Sequence, residues 1–222
     1  MKNILTIFLA LCGVVCAQAQ HINLNSAGRP ADYVSTIMNR SQKVTDALQI
    51  TGTPKGQEVL NIVANRYFEL NDIYSERDSL KKAAAALEGE AKKNMQALAE
   101  SQKDQKLYRS HFGFVAQLSL FLDDKQIEQV KDVLTYNVVN VTYEAQCDMI
   151  PTLKEEEKVQ ILAWLKEARE FAIDAGDSKS KHAWFGKYKG RINNWLAGRG
   201  YDLTKEREAW YKRIEAKKQK KQ

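Results

Sequence analysis

The sequence predicts an all-α protein, a multi-helix bundle with a long, charged helical arm or hairpin, on three observations. The chain has only three prolines, Pro30, Pro54 and Pro151, and each sits where a helix would begin. The long intervals between them carry apolar residues at helical spacing among good helix formers. No segment alternates polar and apolar residues in the manner of a half-buried strand.

The chain opens with a targeting signal. Lys2 precedes the apolar run Ile4 to Val15, which is too short to anchor in a bilayer, and Ala17-Gln18-Ala19 carries small residues where a signal peptidase reads. Cleavage after Ala19 is expected, so residues 1–19 form a signal peptide and 20–222 a single helical domain, periplasmic or secreted. A lipoprotein reading at Cys12 or Cys16 is the weaker alternative, because Leu11 and Val15 are larger than a lipid-attachment site favours. No later segment is long and apolar enough to span a membrane.

The first mature helix is expected from about Ala31 to Gln49, burying Val34, Ile37, Met38, Ser41, Thr45 and Leu48. Thr51-Gly52-Thr53-Pro54 breaks it. Thr53 is the expected N-cap of the next helix and Pro54 its first residue, followed by the stripe Val59, Ile62, Val63, Leu70, Ile73 and Tyr74. From Ser75 to Lys106 the chain is rich in Ala, Lys, Glu and Gln, with Leu80, Leu87, Met95 and Leu98 as its main apolar anchors. This is the predicted arm, bent near Gly89. Residues 107–122 are more apolar, and Phe112, Val115, Leu118 and Phe121 suit burial.

Asp123 and Gln126 form a capping-box pattern, and Ile127, Val130, Leu134, Val138 and Val141 continue on one helical face. Pro151-Thr152 with Glu155 repeats that start signal ahead of Ile161, Leu162, Leu165, Ala168 and Ala172, a stripe that Gly176 is expected to close as the residue past the helix end. Lys181 to Leu196 reads as one helix ended by Gly198-Arg199-Gly200, and a last helix holds Trp210 and Tyr211 before the basic tail 214–222.

Composition narrows the chemistry. Signal cleavage would remove Cys12 and Cys16 and leave Cys147 alone, so no disulfide framework is expected and Cys147 reads as a small apolar residue. The net charge of +6 falls to +5 without Lys2, a modest excess concentrated at the C-terminus. Nucleic acid is therefore not an expected partner of an exported chain, whereas an acidic polymer is compatible with it. His21, His111 and His182 are scattered without metal-ligand spacing, and neither a glycine-rich phosphate loop nor a nucleophile elbow occurs, so no metal or cofactor is expected. The carboxylates of Asp123-Asp124 and Glu155-Glu156-Glu157 have an ordinary explanation at helix starts.

The helix from His182 onward is the most distinctive stretch. Phe185, Tyr188, Ile192 and Trp195 share a face suited to the core, while Trp184, Lys187, Arg191 and Asn194 share another. An aromatic ring beside Arg and Asn suits a sugar: the ring stacks on a pyranose face while planar polar groups bond hydroxyls or a uronate. On the residues alone, plain helix packing with a solvated cationic face is the simpler explanation.

Several blocks here resemble a known family. They are Leu118-Ser119, Val130-Lys131-Asp132, Leu134-Thr135-Tyr136, Val141-Thr142-Tyr143, Glu167-Ala168-Arg169-Glu170, Lys181-His182, Phe185-Gly186-Lys187-Tyr188-Lys189-Gly190-Arg191-Ile192-Asn193-Asn194 and Gly200-Tyr201-Asp202-Leu203. In this order they resemble the secreted bacterial family known as domain of unknown function 3826, over about Ala31 to Arg213. Trp195 stands where that pattern carries Tyr. The resemblance implies sugar binding beside polysaccharide-degrading enzymes of saccharolytic Gram-negative bacteria, with no established site residues. The expected ligand contacts are Tyr136, Tyr143, His182, Lys187, Tyr188, Lys189, Arg191, Asn193, Asn194 and Tyr201, converging on one cleft.

The functional expectation is a carbohydrate-binding accessory protein of polysaccharide utilisation, its partner a poly- or oligosaccharide of neutral or acidic type. One alternative is a glycan-active enzyme using carboxylates such as Asp174 or Asp202 with raised pKa. Another is a periplasmic helical chaperone or adaptor, loosely suggested by the charged arm.

Overall fold

The computed structural model describes residues 21–219, so the expected signal peptide and the last three residues of the tail lie outside the described residues. Among the described residues there are eight helices and no strand: α1 (Ala31–Ala47), α2 (Pro54–Ala84), α3 (Gly89–Ser119), α4 (Asp124–Leu134), α5 (Val138–Met149), α6 (Glu155–Ile173), α7 (Ser178–Gly198) and α8 (Leu203–Gln219). The all-α class is therefore what the structure has.

Thr53 caps α2 by accepting the Gly56 N–H, and Pro54 occupies the first turn, where its missing donor costs nothing. α2 and α3 pair as a long antiparallel hairpin that turns just before Gly89, whose φ of +55° suits glycine. Ala84 and Ala99 are its fully buried outer contacts, small enough to let the helices approach, whereas Leu98 is exposed and Leu80, Leu87 and Met95 are only half-buried. Cross-helix ion pairs, Lys81–Glu100 at 2.7 Å and Lys106–Glu76, lace the outside.

Two cores sit side by side. The first gathers Val44, Val59, Ile62, Val63, Leu118, Val130 and their neighbours from α1 to α4. The second gathers Val139, Ile150, Ile161, Leu165, Ala168, Phe185, Ile192 and Leu196 from α5 to α7. α6 spans both, since its last residue, Ile173, belongs to the first. Residues 21–29 run as a strap along α2. The Ile22 N–H donates to Glu58 at 2.6 Å, Asn61 donates to the Ile22 carbonyl at 2.7 Å, and Asn65 bonds the backbone of Asn23 and Asn25. α8 buries no residue and docks on the end of α5, where Trp210 donates to Asp148 and Arg213 to the Asp148 and Met149 carbonyls.

The structure differs from the sequence reading at four places. Phe112 is 60% exposed and stacks edge-to-face with Tyr108; Phe114, in register with Leu118 and Leu122, takes the core position instead. The expected continuous face from Ile127 to Val141 is interrupted because Tyr136 and Asn137 adopt left-handed φ of +60° and +56°. Thr135 donates to the Lys131 carbonyl and the buried Lys181 ammonium to the Leu134 carbonyl, so side chains satisfy the end of α4 and Val141 turns outward. The N-cap of α6 is Lys154 rather than Thr152, with Glu157 bonded back to the Lys154 N–H. Gly176 is not a left-handed terminator. A Cβ there would lie 3.0 Å from the Tyr74 ring, so the position is reserved for close packing.

Candidate functional site

The outward seam of α6 and α7 is built from two sequence periodicities. On α6, Trp164, Glu167 and Phe171 stand at i, i+3 and i+7; on α7, Trp184, Arg191 and Trp195 stand at i, i+7 and i+11. The helices run antiparallel over the second core, so these rows meet side by side. Phe171, 46% exposed, stacks on Trp184 with centroids 4.6 Å apart and planes 17° apart. The Arg191 guanidinium lies 4.5 Å over the Trp164 ring and 3.5 Å from Glu167. Trp164 and Trp195 meet edge-to-face at 5.2 Å, and Lys187 sits 5.1 Å from the Trp184 ring. The result is an open aromatic ridge about 16 Å long, from eleven residues at helical rise, edged by cations.

The expected contact residues divide between the two flanks of α7. Lys187, Arg191 and the exposed Asn194 lie on or beside the ridge. His182, Lys189 and Asn193 face the opposite flank, toward α5, where Tyr136 stacks on His182 at 5.3 Å and Gln146 donates to Asn193 at 3.3 Å. Tyr143 is half-buried against the second core on that side. Tyr188 lies between the flanks and is buried; burial and a hydrogen bond to Glu167 push its phenol up to about 12. Tyr201 lies past the end of α7, where its hydroxyl donates to Glu157 at 2.5 Å. The structure thus groups these residues on two flanks and one helix end, not around one cleft. Trp164 and Phe171 complete the ridge and were not singled out from sequence, although their seven-residue spacing on α6 was the available signal.

At the far end, Glu157 is buried beside a 270 Å³ hollow lined with Arg199 and Tyr201. Burial favours its neutral form, but bonds from Tyr201, the Lys154 N–H and Arg199 outweigh that and hold it at about 2. It is a fixed carboxylate, suited to bracing the α6 start rather than to proton transfer.

Between the two cores runs an ionic chain. Arg169, 2% exposed, bonds Asp132 and Glu128 at 2.7 Å; Lys131 bonds Glu170 at 2.8 Å; His111 bridges Glu170 at 3.5 Å and Asp174 at 2.8 Å; and Arg66 takes the other oxygen of Asp174 at 2.6 Å. Hydrogen bonds to Asp174 and Glu170 raise His111 to about 9. Asp174 is therefore committed to two cations. Asp202 caps α8 by accepting the Lys205 N–H, and that bond lowers its pKa, opposite to what a general acid needs. Among the described residues no group of three or more His, Cys, Asp or Glu is arranged to hold a metal ion.

A cavity of 850 Å³ opens elsewhere, between the strap, α2 and α3. None of the expected contact residues lines it; its walls carry Arg29, Arg66, Glu69, Asp72, Arg109 and several amides. Sequence reading missed this cleft because it exists only once residues 21–29 fold back over the hairpin.

Fold and surface together define an all-helical bundle with a half-buried aromatic–cationic ridge, and no described helix is long and apolar enough to cross a membrane. The chain belongs to the family described as Protein of unknown function (DUF3826), whose pattern matches residues 34–216. Comparison with curated proteins gives no match.

Proposed function

We propose that this is an exported carbohydrate-binding protein and that the α6–α7 ridge is its contact face. The observation that carries the reading is the line of exposed Phe171 and half-buried Trp184, Trp164 and Trp195, with Arg191 and Lys187 laid against the rings. The three tryptophans are half-buried against the second core of Ile161, Leu165, Phe185 and Ile192, so part of each side chain stays open to a ligand. Flat rings offer stacking area to the apolar face of a pyranose, and the cations and Asn194 offer donors to its hydroxyls. Arg191 is about half exposed, so it can swing off Trp164 to admit a sugar without opening the core. The committed carboxylates Asp174, Asp202 and Glu157 favour binding over cleavage.

The test is a glycan array followed by calorimetry on the best ligand. Trp164→Ala and Trp184→Ala are each expected to weaken binding several-fold, as loss of an aromatic contact worth about 0.5–1.5 kcal/mol would, and to lower thermal stability as well because both rings pack on the second core, with circular dichroism verifying the fold. Unchanged affinity in both variants removes the ridge as the contact face.

A further inference from the structure

The strap cleft has the size and the charge pattern of a ligand site. Its 850 Å³ falls within the range of about 300–1,000 Å³ typical of small-molecule pockets. Its walls are pinned before any ligand arrives, since Glu58, Asn61 and Asn65 hold the strap backbone to α2. That pre-organisation spares a ligand the cost of ordering the loop. Buried Ile62 and Phe114 contribute to its apolar lining.

The charges on the walls cancel except for one. Arg29 is matched by Asp72 through two bonds of 2.9 and 2.6 Å, Lys106 by Glu76, and Arg66 by Glu69 at 2.6 Å. Arg109 also lines the cleft from α3; it is exposed and makes no hydrogen bond or ion pair among the described residues. Also in the wall, Arg66 is 4% exposed and its Nε has no partner among the described residues. The side-chain amides of Asn23, Asn25 and Gln117 line the same space and are likewise uncommitted among the described residues. One open guanidinium among free amides matches a carboxylate carried on a hydroxyl-rich body: the fork takes the carboxylate through two bonds, and the amides take hydroxyls.

We propose that this cleft is a second binding site, specific for uronic-acid-bearing oligosaccharides, with Arg109 receiving the carboxylate. The proposal rests on the carbohydrate reading above for its ligand class, but on different residues.

The experiment is calorimetry of the full chain with digalacturonate and, in parallel, neutral cellobiose. Digalacturonate is expected to bind at least tenfold more tightly than cellobiose, and Arg109→Gln is expected to lose about tenfold or more, in keeping with a charge-assisted hydrogen bond. Trp164→Ala should leave this binding unchanged. Arg109 is exposed, so Arg109→Gln keeps the fold, and an unchanged melting temperature verifies that. Equal affinity of Arg109→Gln and the parent, or no heat with digalacturonate at millimolar concentration, overturns the proposal. Binding lost in Trp164→Ala but kept in Arg109→Gln overturns it while leaving the ridge reading intact.

Discussion

The chain should lose stability between pH 6 and pH 8, and His111 should be the reason. Its imidazole lies between Asp174 at 2.8 Å and Glu170 at 3.5 Å, its side chain is 19% exposed, and those bonds raise its pKa to about 9 from 6.5. A raised folded pKa means that the native state holds the proton more tightly than the unfolded chain. The stabilisation is therefore complete below about pH 6.5 and disappears as pH rises through about 9. Linkage over that window gives about 1.8 kcal/mol lost from pH 6 to pH 8. Sharing of the two carboxylates with Arg66 and Lys131 reduces this to about 1–2 kcal/mol, or roughly 2–8 °C in melting temperature for a chain of this size. Lys181 acts in the opposite sense at higher pH. Burial lowers its pKa to about 8 from 10.5, so the protonated form is disfavoured on folding and stability recovers above pH 8. A minimum near pH 8–9 follows from the opposed shifts of His111 and Lys181. Urea unfolding followed by circular dichroism at pH 6, 7 and 8, on the parent and His111→Gln, checks this. The parent should lose stability across the series and His111→Gln should be flat. Parallel profiles for the two proteins would refute the assignment.

Two further outcomes are expected. Gly56→Ala places a Cβ 2.0 Å from the Ile50 carbonyl oxygen, a backbone atom that Thr53 also bonds, so this single methyl should cost about 3 kcal/mol or more and lower the melting temperature by roughly 6–12 °C in a thermal melt. Expression in a Gram-negative host with the native leader should yield an extracytoplasmic protein whose N-terminal sequencing begins at Gln20, one residue before the strap; retention of Met1 in the mature product would refute the signal peptide.

The helices were legible because their boundaries are chemical. Pro54 with Thr53 and Asp123 with Gln126 announce starts, and Gly200, at φ +96°, ends α7 as its spacing suggests. The α4–α5 break was not legible, because it depends on Lys181, remote in sequence, reaching the Leu134 carbonyl at 2.9 Å. Gly176 misled for a similar reason: its lack of a side chain serves the Tyr74 ring of a distant helix and not a local turn. For the site, periodicity placed Lys187 and Arg191 beside Trp184, but only the packing of α6 supplied Trp164 and Phe171. The expectation that the polar residues of α7 converge on one cleft came with the family resemblance and ran against periodicity. Successive residues turn by about 100°, so Lys189 and Asn193 necessarily face away from Arg191.

The division of labour along α6 explains why binding and stability can be tested apart. Its inner rows, Ile161, Leu165, Ala168 and Ala172, are buried and hold the second core, while Arg169 and Glu170 reach sideways to tie that core to α3 and α4. Trp164 and Phe171 occupy the remaining face; Trp164 meets Trp195 while also packing on the second core, and Phe171 stacks on Trp184. A buried ionic chain is a costly way to join two cores, since desolvation offsets much of its Coulombic gain. It leaves the outer face of α6 outside the ionic chain, although Trp164 still packs on the second core. Removing Arg169 should therefore destabilise the chain severely and abolish every binding signal together with the fold. Removing Trp164 should reduce ridge binding at a smaller cost in stability. A protein in which both substitutions lowered stability equally would be one whose ridge is merely a looser part of the core.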